Sequence, residues 1–438
     1  MNSNRMFRVA GIVSSATMLA STLAAAADAP KEWPNFRGPN HDGVSTEKGW
    51  LTDWPKEGLK QLWLVELGCS YGSVSVSDGK LYAMGSANSD KDEVFYCLDS
   101  ETGKEVWKHP FPSMPRDSNP GPRSTPAVDG KFVYVATMNG QVCCLDTAAG
   151  QVVWNKDMKT DFNLGQPHHW FCGSPIVHGD LLLVNMGPAG VAFDKKTGNI
   201  AWNNTVPKSL SAYASPVPFM LGSKACVAFL SDMALVVVDE ANGQTNSVCG
   251  WPGSHGENSP DPLVIGKDLF QSTPQKCGLV NVAAPKATIV AGNRGPAMAS
   301  RCTTPVLVGD YVYGFSGNPD DPWAKPKKAT TDFVCLDPKD CSVKWTQEGI
   351  MEGSLLAADG KLIILDRSGV LILAEASPAG YKELARARAL PESQKDAVRG
   401  LHATYRKGAC WAMPVLCNGR IYVRNNTGTL VCLDLRGK

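Results

Sequence analysis

The residues with the widest chemical scope in this chain are histidines and arginines in short polar segments. His168 and His169 stand side by side before Trp170, and His255, Glu257 and Asn258 form a second group. Arg123, Arg294 and Arg301 occupy neighbouring segments of the same kind. Imidazoles and carboxylates can ligate metals, but adjacent histidines are poor joint ligands for one ion without further partners. As a group these side chains are better suited to binding, provided the fold gathers them at one mouth. The plain alternative is a set of exposed polar loops. The sequence has no nucleophile elbow, phosphate loop or metalloprotease motif, and no Cys-x-x-Cys-His for attached haem. No residue is therefore assigned a catalytic or metal-ligating role.

A repeated phrase must position these segments. Ser124-Thr125-Pro126-Ala127-Val128-Asp129-Gly130 opens one copy, which closes with Cys144-Leu145-Asp146, Gly150 and Trp154. Gly173-Ser174-Pro175-Ile176-Val177-His178-Gly179 opens the next, which closes with Ala192-Phe193-Asp194, Gly198 and Trp202. The register glycines are Gly79, Gly130, Gly179, Gly222, Gly266, Gly309, Gly360 and Gly419, spaced about 43 to 59 residues apart. Each copy reads as four short strands. Its Asp caps a turn with its own side chain, and its Gly takes the positive φ that turn requires. The segment Gly187 to Gly190 reads as another strand–strand turn.

The eighth copy stops after Val431-Cys432-Leu433-Asp434 and lacks its Trp strand, while an unpaired Trp strand, Lys60 to Glu66, precedes the first copy. The expected fold is all-β: an eight-bladed β-propeller of four-stranded antiparallel blades. Its N-terminal strand completes the last blade and removes a sheet edge. Loops before each innermost strand then converge on the axis. They are expected to set Arg123, His168, His169, His255, Glu257, Arg294 and Arg301 around the channel mouth. Trp33 to Glu57 is expected to lie across one face, leaving open whether His41 and Asp42 cover the mouth or the opposite end.

Some copies depart from the pattern. Ser247 stands where the fourth copy should have Trp, with Trp251 four residues on, and the fifth copy has no Trp. The seventh is expected to end at Leu384. Asn318 to Thr331 reads as an insertion and Arg386 to Lys407 as a basic, partly helical connector.

Net charge is +1 with no long run of one sign, which argues against nucleic acid. Arg5 and Arg8, the apolar stretch from Val9 to about Leu23, and Ala24 to Ala27 read as a signal peptide over 1–27, cleaved before Asp28. An extended segment, 28–59, and the propeller, 60–438, follow. The first Cys is Cys69, so a lipoprotein cleavage Cys is not expected, nor a transmembrane segment in the mature chain. The expected location is the periplasm or outside the cell.

The 14 cysteines invite a disulfide framework. However, Cys97, Cys144, Cys335 and Cys432 share one repeat slot, and equivalent slots of different blades lie too far apart to bridge. They read as small buried side chains. Cys172 and Cys302 share another slot. A bridge among the remainder, such as Cys410 with Cys417, stays open. Trp63, Trp107, Trp154, Trp202 and Trp345 read as packing between blades rather than a cofactor cage.

With the repeats laid out, the chain resembles the PQQ-binding-like β-propeller family, which includes the propeller of the outer-membrane-protein assembly lipoprotein. Trp33-Pro34-Asn35-Phe36-Arg37-Gly38-Pro39 through Gly43 is similar to the opening of exported bacterial members. Gly353 to Gly360, Ala374 to Pro378 and Trp411 to Leu416 match their C-terminal pattern. The resemblance spans essentially the whole mature chain. It implies the fold, but activity is grafted onto a propeller site by site. Quinoprotein dehydrogenases of similar fold hold PQQ and Ca²⁺ over the channel, with a disulfide between adjacent cysteines. The adjacent pair here, Cys143-Cys144, lies in a strand whose alternation sends the side chains to opposite faces. No Ca²⁺ ligand set can be assigned. The resulting expectation is a binding or scaffold module whose partner is an unknown protein or small molecule at the channel mouth. A PQQ-dependent alcohol or sugar dehydrogenase and an outer-membrane assembly factor are the alternatives.

Overall fold

The computed structural model describes residues 32–437 except 113, 115–116, 118–119, 163–164, 166, 188, 207–208, 254–257, 294–296, 318–330 and 392–408. Eight four-stranded antiparallel blades form a ring, an eight-bladed β-propeller. The four strands of blade two, Ala127–Asp129, Phe132–Ala136, Gln141–Asp146 and Val152–Asp157, run in chain order from the axis outward. Blade eight differs. Its inner strands are Val415–Cys417, Arg420–Arg424 and Thr429–Asp434, and its outer strand is Gln61–Glu66. Trp63 faces Cys432 across that pair. The ends of the chain therefore close the ring with backbone hydrogen bonds, leaving no unpaired edge at the seam. All eight register glycines adopt left-handed φ, between 55° and 70°.

The middle strands are apolar on both faces because each face meets a different neighbour. In blade two, Val133, Val135, Cys143 and Leu145 enter the core shared with blade one. Tyr134, Ala136, Val142 and Cys144 enter the core shared with blade three. Cys143 and Cys144 thus point to opposite sides, as strand alternation requires. The repeat-slot cysteines Cys97, Cys144, Cys335 and Cys432 stand opposite Tyr82, Tyr134, Tyr313 and Tyr422 on the adjacent strand. Burial pushes the Cys97, Cys144 and Cys432 thiols up to about 12, so they stay protonated and inert.

Five tryptophans each staple their blade to the next. In blade two, a register shift between Val152 and Trp154 turns the indole toward blade three. Its Nε1 donates to the Lys195 carbonyl at 3.0 Å. Trp63, Trp107, Trp202 and Trp345 make the same bond to Ser100, Thr147, Glu240 and Ser377. Four of these five receiving turns are held by an Asp, as where Asp146 Oδ1 accepts from the amides of Ala148 and Ala149; the blade-seven turn has Glu375 there instead. A Cβ on Gly150 would lie 2.5 Å from the Trp107 ring, so this turn position must lack a side chain. Ser247 holds the Trp position of blade four, facing Val237, while Trp251 is fully buried between blades four and five. In blade seven the outer strand is Glu383–Arg388. It therefore continues past Leu384, and Arg386, expected in the connector, completes the pairing with Ile372. Residues 392–407 of that connector and 318–330 of the insertion lie outside the described residues.

Candidate functional site

A Ser, Thr or Asp that precedes the innermost strand links successive blades around the axis. The Ser73 amide donates to Thr125 Oγ1 at 2.9 Å, and the Thr125 amide to Ser174 Oγ at 2.9 Å. Ser174 donates to Ser215 Oγ at 3.1 Å, Ser215 to Asp261 Oδ1 at 2.7 Å, and Asp261 to Thr304 Oγ1 at 2.9 Å. Proline follows Thr125, Ser174, Ser215, Asp261 and Thr304, holding the preceding residue extended so that its side chain reaches back along the belt. Blade eight joins through carbonyls: Ser354 Oγ donates to Ala412 and Ser73 Oγ to Met413.

One end of the channel is closed. Trp33 bridges Val76 of blade one, and the Pro34 carbonyl accepts from Val128 of blade two. The segment then crosses to blade seven, where Val44–Ser45 pairs in parallel with Ala357 and Ala358. These contacts fall at the far ends of the innermost strands, so His41 and Asp42 lie at the end opposite the lead-in loops. Burial, helped by His178, pushes His41 down to about 4. Phe36 and Arg37 form the floor. Arg37 is buried and donates to the carbonyls of Asp42 at 2.7 Å, Pro305 at 3.2 Å and His41 at 3.3 Å.

The result is a cup of about 190 Å³, with the belt as its wall and the lead-in loops as its rim. Arg123, His169 and Arg301 line it, together with Tyr71, Tyr213 and Trp411. Asp117 ties two rim side chains together, 3.5 Å from Arg123 and 3.2 Å from His169 Nδ1. Tyr213 OH accepts from the His169 amide at 3.0 Å, and Arg123 lies over the Tyr71 ring. Trp411 is held from behind by Arg367, 4.5 Å from its ring centre and 2.8 Å from the buried Glu352 carboxylate. His168 stacks edge-on against His169 and is exposed, outside the lining. His255, Glu257 and Arg294 lie outside the described residues. Cys172 and Cys302, paired by repeat slot, both face the cup. Cys410 and Cys417 belong to different cores.

Two carboxyls around the cup are buried with raised pKa values. Desolvation pushes Asp261 up to about 6, opposed by the charge of Arg37. Desolvation also lifts Glu93 to about 7, opposed by hydrogen bonds from Met138 and Asn139 and by Arg123. A raised acid binds its proton more tightly in the folded chain. Its stabilising effect is complete below the unfolded value and is lost as pH rises through the folded one. Glu93→Gln is therefore expected to flatten the decline in urea midpoint between about pH 4.5 and 7. An unchanged slope across that range would contradict the assignment.

Fold and site define a β-propeller with a cup set in its channel, lined by both aromatic and polar side chains. The profile of the family described as outer membrane protein assembly factor BamB matches residues 90–347, more than half of the chain, and the chain belongs to that family. Over 147 residues it is 31% identical to the quinohemoprotein alcohol dehydrogenase ADH-IIG of Pseudomonas putida, covering 30% of this chain and 19% of that one. It is 27% identical over 159 residues to the serine/threonine-protein kinase AfsK of Streptomyces griseus, covering 36% and 19%. The match thus spans about a fifth of the length of these curated relatives. Among solved structures, the quinohemoprotein alcohol dehydrogenase from Comamonas testosteroni superposes with TM-score 0.62 at 14% identity, covering 95% of this chain and 82% of that one. BamB from Moraxella catarrhalis superposes with TM-score 0.57 at 14% identity, covering 87% and 98%. At such identities the structural likeness speaks for the fold alone.

The described residues do not fit a Ca²⁺-bound quinone. The adjacent cysteines are split between two inter-blade cores, away from the cup. No group of three or more His, Cys, Asp or Glu that could hold a metal occurs among the described residues. Asp261, the one carboxylate among the described cup-lining residues, already accepts the Ser215 amide and faces Arg37.

Proposed function

We propose that this chain is an exported propeller acting as a binding module, its ligand a small molecule or protein segment seated in the cup through acceptor oxygens. In this reading residues 1–27 are a cleaved signal, 28–59 an extended segment that supplies the floor, and 60–438 the propeller. The periplasm or the exterior is its place of work. No helix among the described residues is long and apolar enough to cross a membrane. The observation that carries the reading is the one-ended cup. A ring that served only as a scaffold has no need of a buried arginine closing its channel beneath three rim aromatics, two rim arginines and a histidine.

Two other readings have specific support. The family description favours an outer-membrane assembly role, and the dehydrogenase relatives favour PQQ chemistry. Purified chain titrated with PQQ and Ca²⁺ is expected to show no dye reduction with alcohols or aldoses. Saturable turnover would overturn the binding-module reading. Retention of unfolded outer-membrane barrel proteins on the immobilised chain, insensitive to changes in the cup, would shift the reading to assembly.

A further inference from the structure

The blade-six turn departs from the staple pattern. Cys341 follows Asp337 by four residues, as Gly103, Gly150, Gly198 and Gly243 follow their own Asp. At those glycines a Cβ would meet the preceding blade's Trp within 2.7 Å. Blade five has no such Trp. Ala291 holds the position, facing Leu279 as Trp154 faces Cys144. The space left by the indole admits a side chain, and Cys341 supplies it despite a left-handed φ of 57°. A cysteine in backbone that favours glycine is a retained strain, and such outliers point to a role.

The Cys341 side chain meets Cys277 of the blade-five strand Lys276–Asn281. Both lie in one core at the blade-five and blade-six joint, 4% and 2% exposed. Each thiol is the first influence on the other's titration, lowering the pKa of Cys277 and raising that of Cys341. The repeat-slot thiols Cys97, Cys144, Cys335 and Cys432 lie in four separate cores. We propose that Cys277 and Cys341 form a disulfide that clasps blade five to blade six where the Trp staple is missing.

The oxidant is a disulfide, small or protein-borne. The thiolate of one of the two cysteines attacks it, forming a mixed disulfide and releasing one thiol. The other cysteine then displaces the second thiol, so two protein thiols and one external disulfide become one protein disulfide and two external thiols. Because both sulfurs are buried, the exchange belongs to folding rather than to the finished ring. The inference stands independently of what the cup binds.

The test is refolding of the full chain from urea with oxidised glutathione, followed by alkylation and peptide mapping. The expected result is one linked peptide pair, Cys277 with Cys341, and a higher urea midpoint than in the reduced chain. In Cys341→Ser that oxidation-dependent shift should vanish. Both cysteines alkylated after oxidation, or either linked elsewhere, would overturn the clasp. Should Cys341→Ser fail to fold, the map of the unmodified chain decides alone.

Discussion

Removing residues 28–66 is expected to abolish the cooperative unfolding transition. The deletion takes away the outer strand of blade eight, Gln61–Glu66, and exposes the edge of Thr429–Asp434. It also removes Trp63, whose ring rests on Gly103 and whose Nε1 reaches the Ser100 carbonyl at 3.2 Å. Trp33, Trp50 and Trp54, all buried, go with it. A ring opened at one blade keeps seven inter-blade cores but loses the contact that makes them mutually dependent. Trp63→Ala is the graded form of the same test, with an expected loss of roughly 3–5 kcal/mol. Calorimetry reads both. Unchanged melting after the deletion would contradict closure by the N-terminal strand.

The second large effect is expected at the cup floor. Arg37→Ala removes a buried guanidinium and leaves Asp261 without the charge that opposes its desolvation. Breaking one side of a buried charge arrangement costs roughly 3–5 kcal/mol. The sign of its pH dependence follows from Asp261. Without Arg37 its pKa moves above 6, so the penalty is least below about pH 6, where Asp261 is protonated in both proteins, and grows as pH rises through neutrality. Urea midpoints at acid and neutral pH measure this directly. Arg37→Lys keeps the charge but loses the three-carbonyl grip, and should cost less. The double variant Arg37→Met with Asp261→Asn removes both charges and should recover part of the loss. Equal midpoint losses at both pH values would show that Arg37 acts through packing alone.

Much of the ring was legible because a propeller repeats its physics. The register glycines, the capping Asp and the outer-strand Trp each recur at a fixed distance, and each recurrence has one mechanical cause. The seam was visible as a strand missing at one end and spare at the other. The cup was only partly legible. Arg123, His169 and Arg301 stood out as residues that break the repeat. The belt did not, because Thr125, Ser174, Ser215, Asp261 and Thr304 are part of it. Their shared signal, a polar residue before Pro at each innermost strand, was present in the quoted phrases. Arg37 was hidden differently. Its role depends on a crossing from blades one and two to blade seven, which no local pattern encodes. The Cys277–Cys341 contact needed two facts at once, a missing Trp in one blade and a missing Gly in the next.

The most direct measurement of the central claim is a crystal structure of the chain bound to the strongest ligand from a thermal-shift screen. The screen would cover small carboxylates, sugars, nucleosides and aromatic acids. The account predicts density inside the cup, above Arg37 and between Arg301, His169 and Trp411, with the thermal shift lost in Trp411→Ala. Density confined to the outer faces of the blades, with the shift intact in that variant, would contradict it.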